Sequence, residues 1–548
     1  MTRITCSDYS PDQFQSEEIA DLGEFLARHR PAWCRVRWID VLGLEQAEVI
    51  RSLAEKYQLH PLTGPFVDTA AVATYAVRGN RPLRGARRGA TFGATPYPKD
   101  GEPKMLRYGL LALVVCLGVS PCWSDDFPAA SLHNWHQWRG PGADGLAPHG
   151  DPPIHWDEAT NVRWKVAVPG EGHATPIVWG ERIFVLAAVK TEREVATLAP
   201  PEMEPPGGYK TPRPMTYYQF VVSCLDRQTG GLQWQRVACE VVPHAGRHAT
   251  NTYASASPTT DGRRLYVSFG SQGIFCYDLQ GELIWNRDLG DMVTRFGWGE
   301  GASPVLYGNS LIVNWDHEGE SFLVVLDAAT GKTKWRVDRD EVSSWVTPRV
   351  VEYDGQAQLI VPATRRITSY DLASGAVIWE CGGLTTNVIP CPVVYGDQVI
   401  CMSGHGGNEV RAVRLDSRGD VTEMPGQVVW QSHRNTPYVP SPLVYGQQLF
   451  LTKSNLAILT VLNPASGETL LDSVRLPEMK SLYASPVGAA DRVYLTSREG
   501  VTLVIRNQPT LDVLAINKLS EGIDASPAIV GRTLFLRGQR HLYKIESD

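Results

Sequence analysis

Ten side chains in seven short polar segments carry most of the chemistry this sequence offers. RHATNTY (247–253) contributes His248 and Asn251, and RFGWGEGAS (295–303) contributes Trp298 and Glu300. SSW (343–345) adds Trp345, TTN (385–387) Asn387, and HRNTPY (433–438) His433 and Arg434. MKSLY (479–483) adds Lys480 and EGIDA (521–525) adds Asp524. As a set they supply donors, acceptors, both signs of charge and aromatic faces, the mixture that builds a small-molecule or peptide site. Each residue taken alone also suits the plainer task of satisfying backbone amides at strand starts. Glu300 has Arg295 or Arg434 as an expected partner, and His317 and Glu318 of DHEG read as a solvated hairpin end.

Catalytic templates do not accompany these residues. G-x-S-x-G, H-E-x-x-H and the P-loop are absent, as are C-x-x-C and the haem-attaching C-x-x-C-H. SGHGGNEV (403–410) lies between two strand-like runs, so it reads as a hairpin loop and not as a phosphate cradle. No catalytic residue and no metal ligand set is expected. Among the cysteines after Ser124, Cys224 and Cys276 share one repeat position, two residues before an Asp, and read as buried small apolar groups. An oxidising compartment would also allow a Cys381–Cys391 disulfide.

Something must bring the seven segments together, and a repeat does so. Each unit opens on a small residue and Pro, runs through an apolar stretch, a Gly turn and a second apolar stretch, then reaches Leu-Asp, a Thr-Gly or Ser-Gly turn, and a Trp. Eight openings fall at Pro176, Pro258, Pro304, Pro348, Pro392, Pro442, Pro486 and Pro527, with gaps of 82, 46, 44, 44, 50, 44 and 41. The long first gap holds TLAPPEMEPPGGYKTPRPM (197–215), which reads as an exposed loop. Within a unit the pattern predicts four strands. Asp caps the second turn, Gly supplies positive φ, and the Trp at 234, 285, 335, 379 or 430 wedges between neighbouring sheets. Trp164 lies 12 residues before Pro176, as Trp430 does before Pro442, so 161–169 supplies a fourth strand with no first three. The last unit has its first three strands and lacks a fourth. The expected fold is therefore all-β, an eight-bladed propeller of four-stranded blades over 161–548, its last blade closed by the N-terminal strand. The seven polar segments precede first strands and would gather at one mouth of the channel.

LDRQTGGLQW, LDAATGKTKW and YDLASGAVIW give residues 135–548 a family resemblance. The chain resembles the pyrroloquinoline-quinone-repeat β-propellers, those like the outer-membrane assembly lipoprotein BamB. NWHQWRGPGADG (134–145) is similar to the start of secreted planctomycete-type members. The resemblance implies a non-catalytic binding or scaffold module of the cell envelope, meeting a protein, peptide or small molecule at the propeller mouth and needing no cofactor. The alternative is a quinone-dependent oxidoreductase using pyrroloquinoline quinone with calcium. Such enzymes resemble one another in a vicinal Cys-Cys pair and a Glu-Asn-Asp calcium set. This sequence has no Cys-Cys and no such trio in motif context.

Residues 1–104 stand outside the repeat. SEEIADLGEFLARHR (16–30) and LEQAEVIRSLAEKY (44–57) read as amphipathic helices around a strand, CRVRWIDVLGL. VRWIDVLGLEQAEVIRSLAEKYQLHPL (36–62) resembles the start of the cytoplasmic domain of CorA-type magnesium transporters, so 1–62 is expected to be a small, incomplete α/β fragment. The transporter's spans and Gly-Met-Asn signature are missing, and a remnant of a fused metal-ion transport protein is the second alternative. Residues 63–104, with Arg78, Arg81, Arg84, Arg87 and Arg88 among Gly and Pro, read as a disordered linker. MLRYGLLALVVCLGVSPCWSDD follows, and 105–124 has the layout of a signal peptide, with Met105 as the start, Arg107 as the charged region and cleavage near Ser124–Asp125. Its apolar run, Gly109 to Val119, is 11 residues and cannot span a bilayer, which needs about 20. Residues 125–160 lead into the propeller. The expected location is the periplasm or the exterior. A net charge of −7 supplies no field for nucleic acid.

Overall fold

Inner strands of each repeat are mostly apolar and buried on both faces, and outer strands alternate. Leu311 to Trp315 and Phe322 to Leu326 are buried throughout, while Thr333–Asp338 alternates between half-buried and exposed residues. A strand covered on both faces needs apolar side chains on both, and a strand at the rim needs them on one. Stacking such sheets around an axis produces the observed architecture.

The computed structural model describes residues 3–9, 14–19, 25, 36–42, 73–78, 81–83, 127–201 and 203–547, and the chain divides into two compact units, 1–118 and 119–548. The second unit holds eight antiparallel sheets whose first strands begin at Ile177, Thr259, Val305, Arg349, Val393, Leu443, Val487 and Ala528. They are numbered here as blades one to eight. Strand Val162–Ala167 pairs antiparallel with His541–Glu546, with Trp164 opposite Lys544, and completes blade eight. The ring therefore closes with sheet hydrogen bonds and not with packing alone. Blade four carries an additional strand, Gly419–Asp420, parallel to Val377–Gly382.

The closing tryptophans act between blades. Trp164 Nε1 donates to Arg227 O at 3.3 Å, Trp234 to Leu279 O at 3.0 Å, and Trp285 to Ala328 O at 3.1 Å. Trp335 donates to Leu372 O at 2.9 Å and Trp430 to Pro464 O at 3.0 Å. Each acceptor directly follows the turn-capping residue of the next blade. The turn glycine beneath each indole has no room for a side chain: a Cβ on Gly281 would lie 2.8 Å from Trp234, and one on Gly331 2.7 Å from Trp285. Their φ values, 86° and 67°, require glycine independently. Trp379 departs from the pattern. It donates to Gln358 Oε1 at 3.2 Å, and Gln358 Nε2 relays the contact to Leu415 O of blade five at 2.8 Å.

Cys224 and Cys276 lie opposite Trp234 and Trp285 across the sheet and are fully buried. Burial pushes both thiols up to about 12. Cys381 and Cys391 are both free thiols, which corrects the disulfide the sequence allowed. His317 is also corrected. It is buried, accepts the Val293 and Gly319 N–H groups at Nδ1, and folds its loop inward.

The first unit contains one antiparallel sheet, ordered Phe14–Glu18, Arg3–Tyr9, Val36–Leu42, Ala73–Arg78 and Arg81–Leu83. The strand expected within CRVRWIDVLGL is present. The helix expected over 16–30 is corrected at its start, since residues 16–18 are strand paired with Thr5 to Ser7. The linker expected over 63–104 is corrected at 73–78 and 81–83, two antiparallel strands in which Arg78 pairs with Arg81. The helix expected over 44–57 and the signal-like segment 105–124 lie outside the described residues. Among the described residues no helix is long and apolar enough to cross a membrane.

Candidate functional site

Alternation along the approach to each first strand builds the channel. The residue before each repeat Pro and the residue two before that face the same way, because side chains on an extended chain repeat with period two. The inner positions form a collar. Thr175 N donates to Ser257 Oγ at 2.9 Å, Ser257 N to Ser303 Oγ at 2.9 Å, and Ser303 N to Thr347 Oγ1 at 3.0 Å. The collar resumes at Cys391 N, which donates to Ser441 Oγ at 3.0 Å, followed by Ser441 N to Ser485 Oγ and Ser485 N to Ser526 Oγ, both at 2.9 Å. Thr175 Oγ1 donates to Ser526 O at 3.2 Å, joining blade one to blade eight. Where seven blades present a hydroxyl, blade five presents the Cys391 thiol.

Above the collar, the outer positions form a second ring that includes His173, Trp345, Tyr483 and Asp524. Collar and ring enclose a cavity of about 380 Å³. His248, Thr250, Asn251, Trp298, Glu300, His405 and Tyr438 surround its mouth. A strained turn positions Trp298, with Phe296, Gly297 and Gly299 at φ 56°, 70° and 85°. Positive φ at a Phe is a costly conformation that the surrounding structure must hold. The Trp298 ring meets His248, Trp345 and His405 at centroid distances of 6.0, 6.4 and 5.9 Å, and His405 meets Tyr438 at 4.9 Å. His405 comes from SGHGGNEV, which is the loop between the second and third strands of blade five.

The floor is made by residues 134–151, which cross the far ends of the first strands. Trp135 exchanges both backbone hydrogen bonds with Val178 of blade one. Thr260 N of blade two donates to His136 O at 3.0 Å, Arg139 Nη2 to Pro442 O of blade six at 2.7 Å, and Ala147 N to Gly488 O of blade seven at 2.9 Å. Within this strap, Trp138 reaches into the cavity and donates from Nε1 to Cys391 Sγ at 3.2 Å. The channel is thereby a cup, open at the mouth and closed beneath the collar.

Six of the ten sequence candidates line the cup: His248, Asn251, Trp298, Glu300, Trp345 and Asp524. Asn387 stands just behind the lining, donating from Nδ2 to His405 Nδ1 at 3.1 Å. His433 pairs with Glu409 at 2.6 Å, Arg434 pairs with Asp472 at 3.1 Å, and Lys480 is exposed, all three outside the cup. Glu300 has neither expected arginine. Its carboxylate accepts from Ser271 N at 2.7 Å and Ser271 Oγ at 2.6 Å, and burial pushes its pKa up against these two bonds. Asp524 accepts from Arg498 Nε at 2.6 Å and lies 3.4 Å from His173 Nε2. Burial, reinforced by Arg537, Arg498 and Arg247, nevertheless lowers His173 to about 4. His173, Tyr438, Tyr483, Cys391 and Trp138 were missed by composition. The first four would have been found by counting one, three or four residues back from each repeat Pro.

The lining does not match pyrroloquinoline quinone, whose three carboxylates call for cations. Among the described residues no Lys or Arg lines the cup, and two carboxylates do. Nor do three or more His, Cys, Asp or Glu side chains gather as a metal site among the described residues, whereas calcium takes six or more oxygens.

No curated protein matches the chain. Among solved structures it is similar to BamB from Moraxella catarrhalis, at 12% identity over 66% of this chain and 100% of that one, with a TM-score of 0.42. It is similar to the quinohemoprotein alcohol dehydrogenase from Comamonas testosteroni, at 10% identity over 77% and 82% of the two chains, with a TM-score of 0.49. It is also similar to the computationally designed Ika8 protein, at 11% identity over 60% and 93%, with a TM-score of 0.42. The family model for the outer membrane protein assembly factor BamB matches residues 219–381 and 324–547, which together cover more than half the chain. The chain belongs to the BamB family of repeat propellers.

Proposed function

We propose that this propeller is a non-catalytic binding module of the cell envelope that takes a small molecule, or the side chains of a peptide, into the cup. The observation that carries this reading is the cup itself, a cavity of about 380 Å³ with aromatic rings at its mouth, hydroxyls at its base and the strap closing its floor. Concave, largely apolar sites with a few placed polar groups are how proteins hold such ligands. Membership of the BamB family supports a role in binding at the envelope. The signal-like segment at 105–124 supports export. The lining supports a site without a resident quinone or calcium, since it offers carboxylates where a polycarboxylate ligand would need cations.

The test is a thermal-shift screen of the full chain with sugars, peptides and the quinone, repeated on Trp345→Ala. A shift that the substitution removes supports the reading. No shift with any class, together with an unaltered phenotype of cells carrying Trp345→Ala, overturns it. Fractionation of the native cells checks location, and recovery in the cytoplasm refutes the envelope assignment.

A further inference from the structure

The hydroxyl collar specifies which kind of small molecule the cup takes. Six collar oxygens line the cavity, those of Ser257, Ser303, Thr347, Ser441, Ser485 and Ser526, and all six residues are buried. Each already accepts a backbone N–H from the neighbouring blade. A hydroxyl has one proton to give, and none of these six gives it to another described residue. The base of the cup is therefore a ring of O–H donors, each polarised by the N–H it accepts. A ligand reaching it must bring several hydrogen-bond acceptors at once.

The wall makes the complementary demand. Asp524 and Glu300 line it, and although Arg498 holds the first carboxylate and Ser271 the second, a carboxylate has lone pairs for more than two donors, so a ligand that also carries donors suits this wall. At the mouth, Trp298, Trp345 and Tyr438 present ring surface, which favours a body with an apolar face. Charge narrows the choice further. Among the described residues no Lys or Arg lines the cavity, and the Asp524 carboxylate is held by Arg498 at 2.6 Å. An anionic ligand would stay uncompensated there, a cation would meet only Glu300, which burial pushes toward its neutral form, and burying an unpaired charge is costly.

Resting on the binding reading of this same cup, we propose that its ligand is a neutral saccharide, one pyranose ring entering with hydroxyls toward the collar and a C–H face against Trp298 and Trp345. A pyranose is small and uncharged, each of its hydroxyls both donates and accepts, and its axial C–H bonds give it an apolar face. The collar, the wall and the mouth are matched by one body.

The experiment is calorimetric titration of the full chain with glucose, galactose, mannose and N-acetylglucosamine, and separately with pyrroloquinoline quinone and with a mixed-sequence pentapeptide library. Trp345→Ala and Ser485→Ala are titrated in parallel, and Trp345→Leu stands in if the alanine variant does not fold by circular dichroism. The expected result is saturable 1:1 binding of at least one neutral sugar, weakened at least tenfold by either substitution. Binding of the quinone or peptides alone, weakened by the same substitutions, overturns the saccharide assignment and leaves the cup as a binding site. Sugar binding indifferent to both substitutions overturns the assignment, because the sugar then sits elsewhere. No binding of any class overturns both readings.

Discussion

Trp138 Nε1 lies 3.2 Å from Cys391 Sγ, and the two residues are 253 positions apart in sequence. One belongs to the strap before the first blade and the other to the collar of the fifth. Their contact ties the strap that floors the cup to the collar above it.

Replacing Trp138 with Ala should open that floor. Cys391 lines the cavity, while burial pushes Cys224 and Cys276 up to about 12 and Cys239 up to about 11, so those thiols resist alkylation. The expected outcome is a rise of at least tenfold in the rate at which iodoacetamide modifies Cys391 in the folded protein, followed by peptide mass spectrometry. An unchanged rate would show that Trp138 does not close the channel.

The indole-to-turn contact between blades should be measurable as a coupling. Trp285→Phe removes the hydrogen bond to Ala328 O, worth about 1 kcal/mol. Gly331→Ala adds the cost of a left-handed alanine, about 1–2 kcal/mol, plus the clash with the Trp285 ring. In a Trp285→Ala background the clash disappears. A double-mutant cycle by urea unfolding should therefore give a coupling of about 0.5–3 kcal/mol, and a coupling of zero would refute the contact's role.

Arg339 and Asp316 form a pair almost wholly removed from solvent, with Nε 2.7 Å from Oδ1 and Nη2 3.2 Å from Oδ2. Tyr370 Oη accepts from Arg339 Nη1 at 2.6 Å, and Ser344 Oγ donates to Asp316 at 2.8 Å. Asp316→Ala strands a buried guanidinium and should cost about 3–5 kcal/mol. Arg339→Met combined with Asp316→Leu should cost less than the single change, since neither charge then needs compensation. Equilibrium denaturation of the wild type and the two variants compares them directly.

Stability should fall on the acid side through buried histidine. Burial lowers His136 to about 4, and its ring packs edge-on to Phe127 at 5.2 Å. Between pH 6.5 and 4 the unfolded chain holds the proton and the folded chain does not. Stability is thus full above about pH 6.5 and lost as pH falls toward 4, by about 2 kcal/mol at pH 5. His136→Phe removes this contribution. The variant should gain on the wild type by that amount between pH 8 and pH 5, read from urea midpoints, and a parallel decline of both would count against it.

Much of the cup was written in the repeat without being legible as a site. The Pro spacings 82, 46, 44, 50, 44 and 41 are also the separations of the collar hydrogen bonds. Choosing residues by polarity found Trp345 and Asp524 in the second ring but put His433, Arg434 and Lys480 in place of Tyr438 and Tyr483. Charged side chains are costly to bury and find partners at the rim, as Arg434 does with Asp472, whereas tyrosine is drawn into a half-dry cavity. In the first unit the Gly79-Asn80 pair is a hairpin signal in sequence, set among arginines and glycines that by composition read as linker.

What the sequence determined by itself was local and periodic: eight blades, their strand order, the closing strand at Trp164 and the turns that require glycine. Those follow from side-chain period and turn chemistry, which act over a few residues and repeat. Tertiary structure alone decided what lies across the axis. The strap beneath the collar, the bond from Trp138 to Cys391, and the loop of blade five that carries His405 to the mouth join residues with no spacing rule between them. Their meeting depends on ring closure, which places remote segments within hydrogen-bond reach only once all eight blades are assembled.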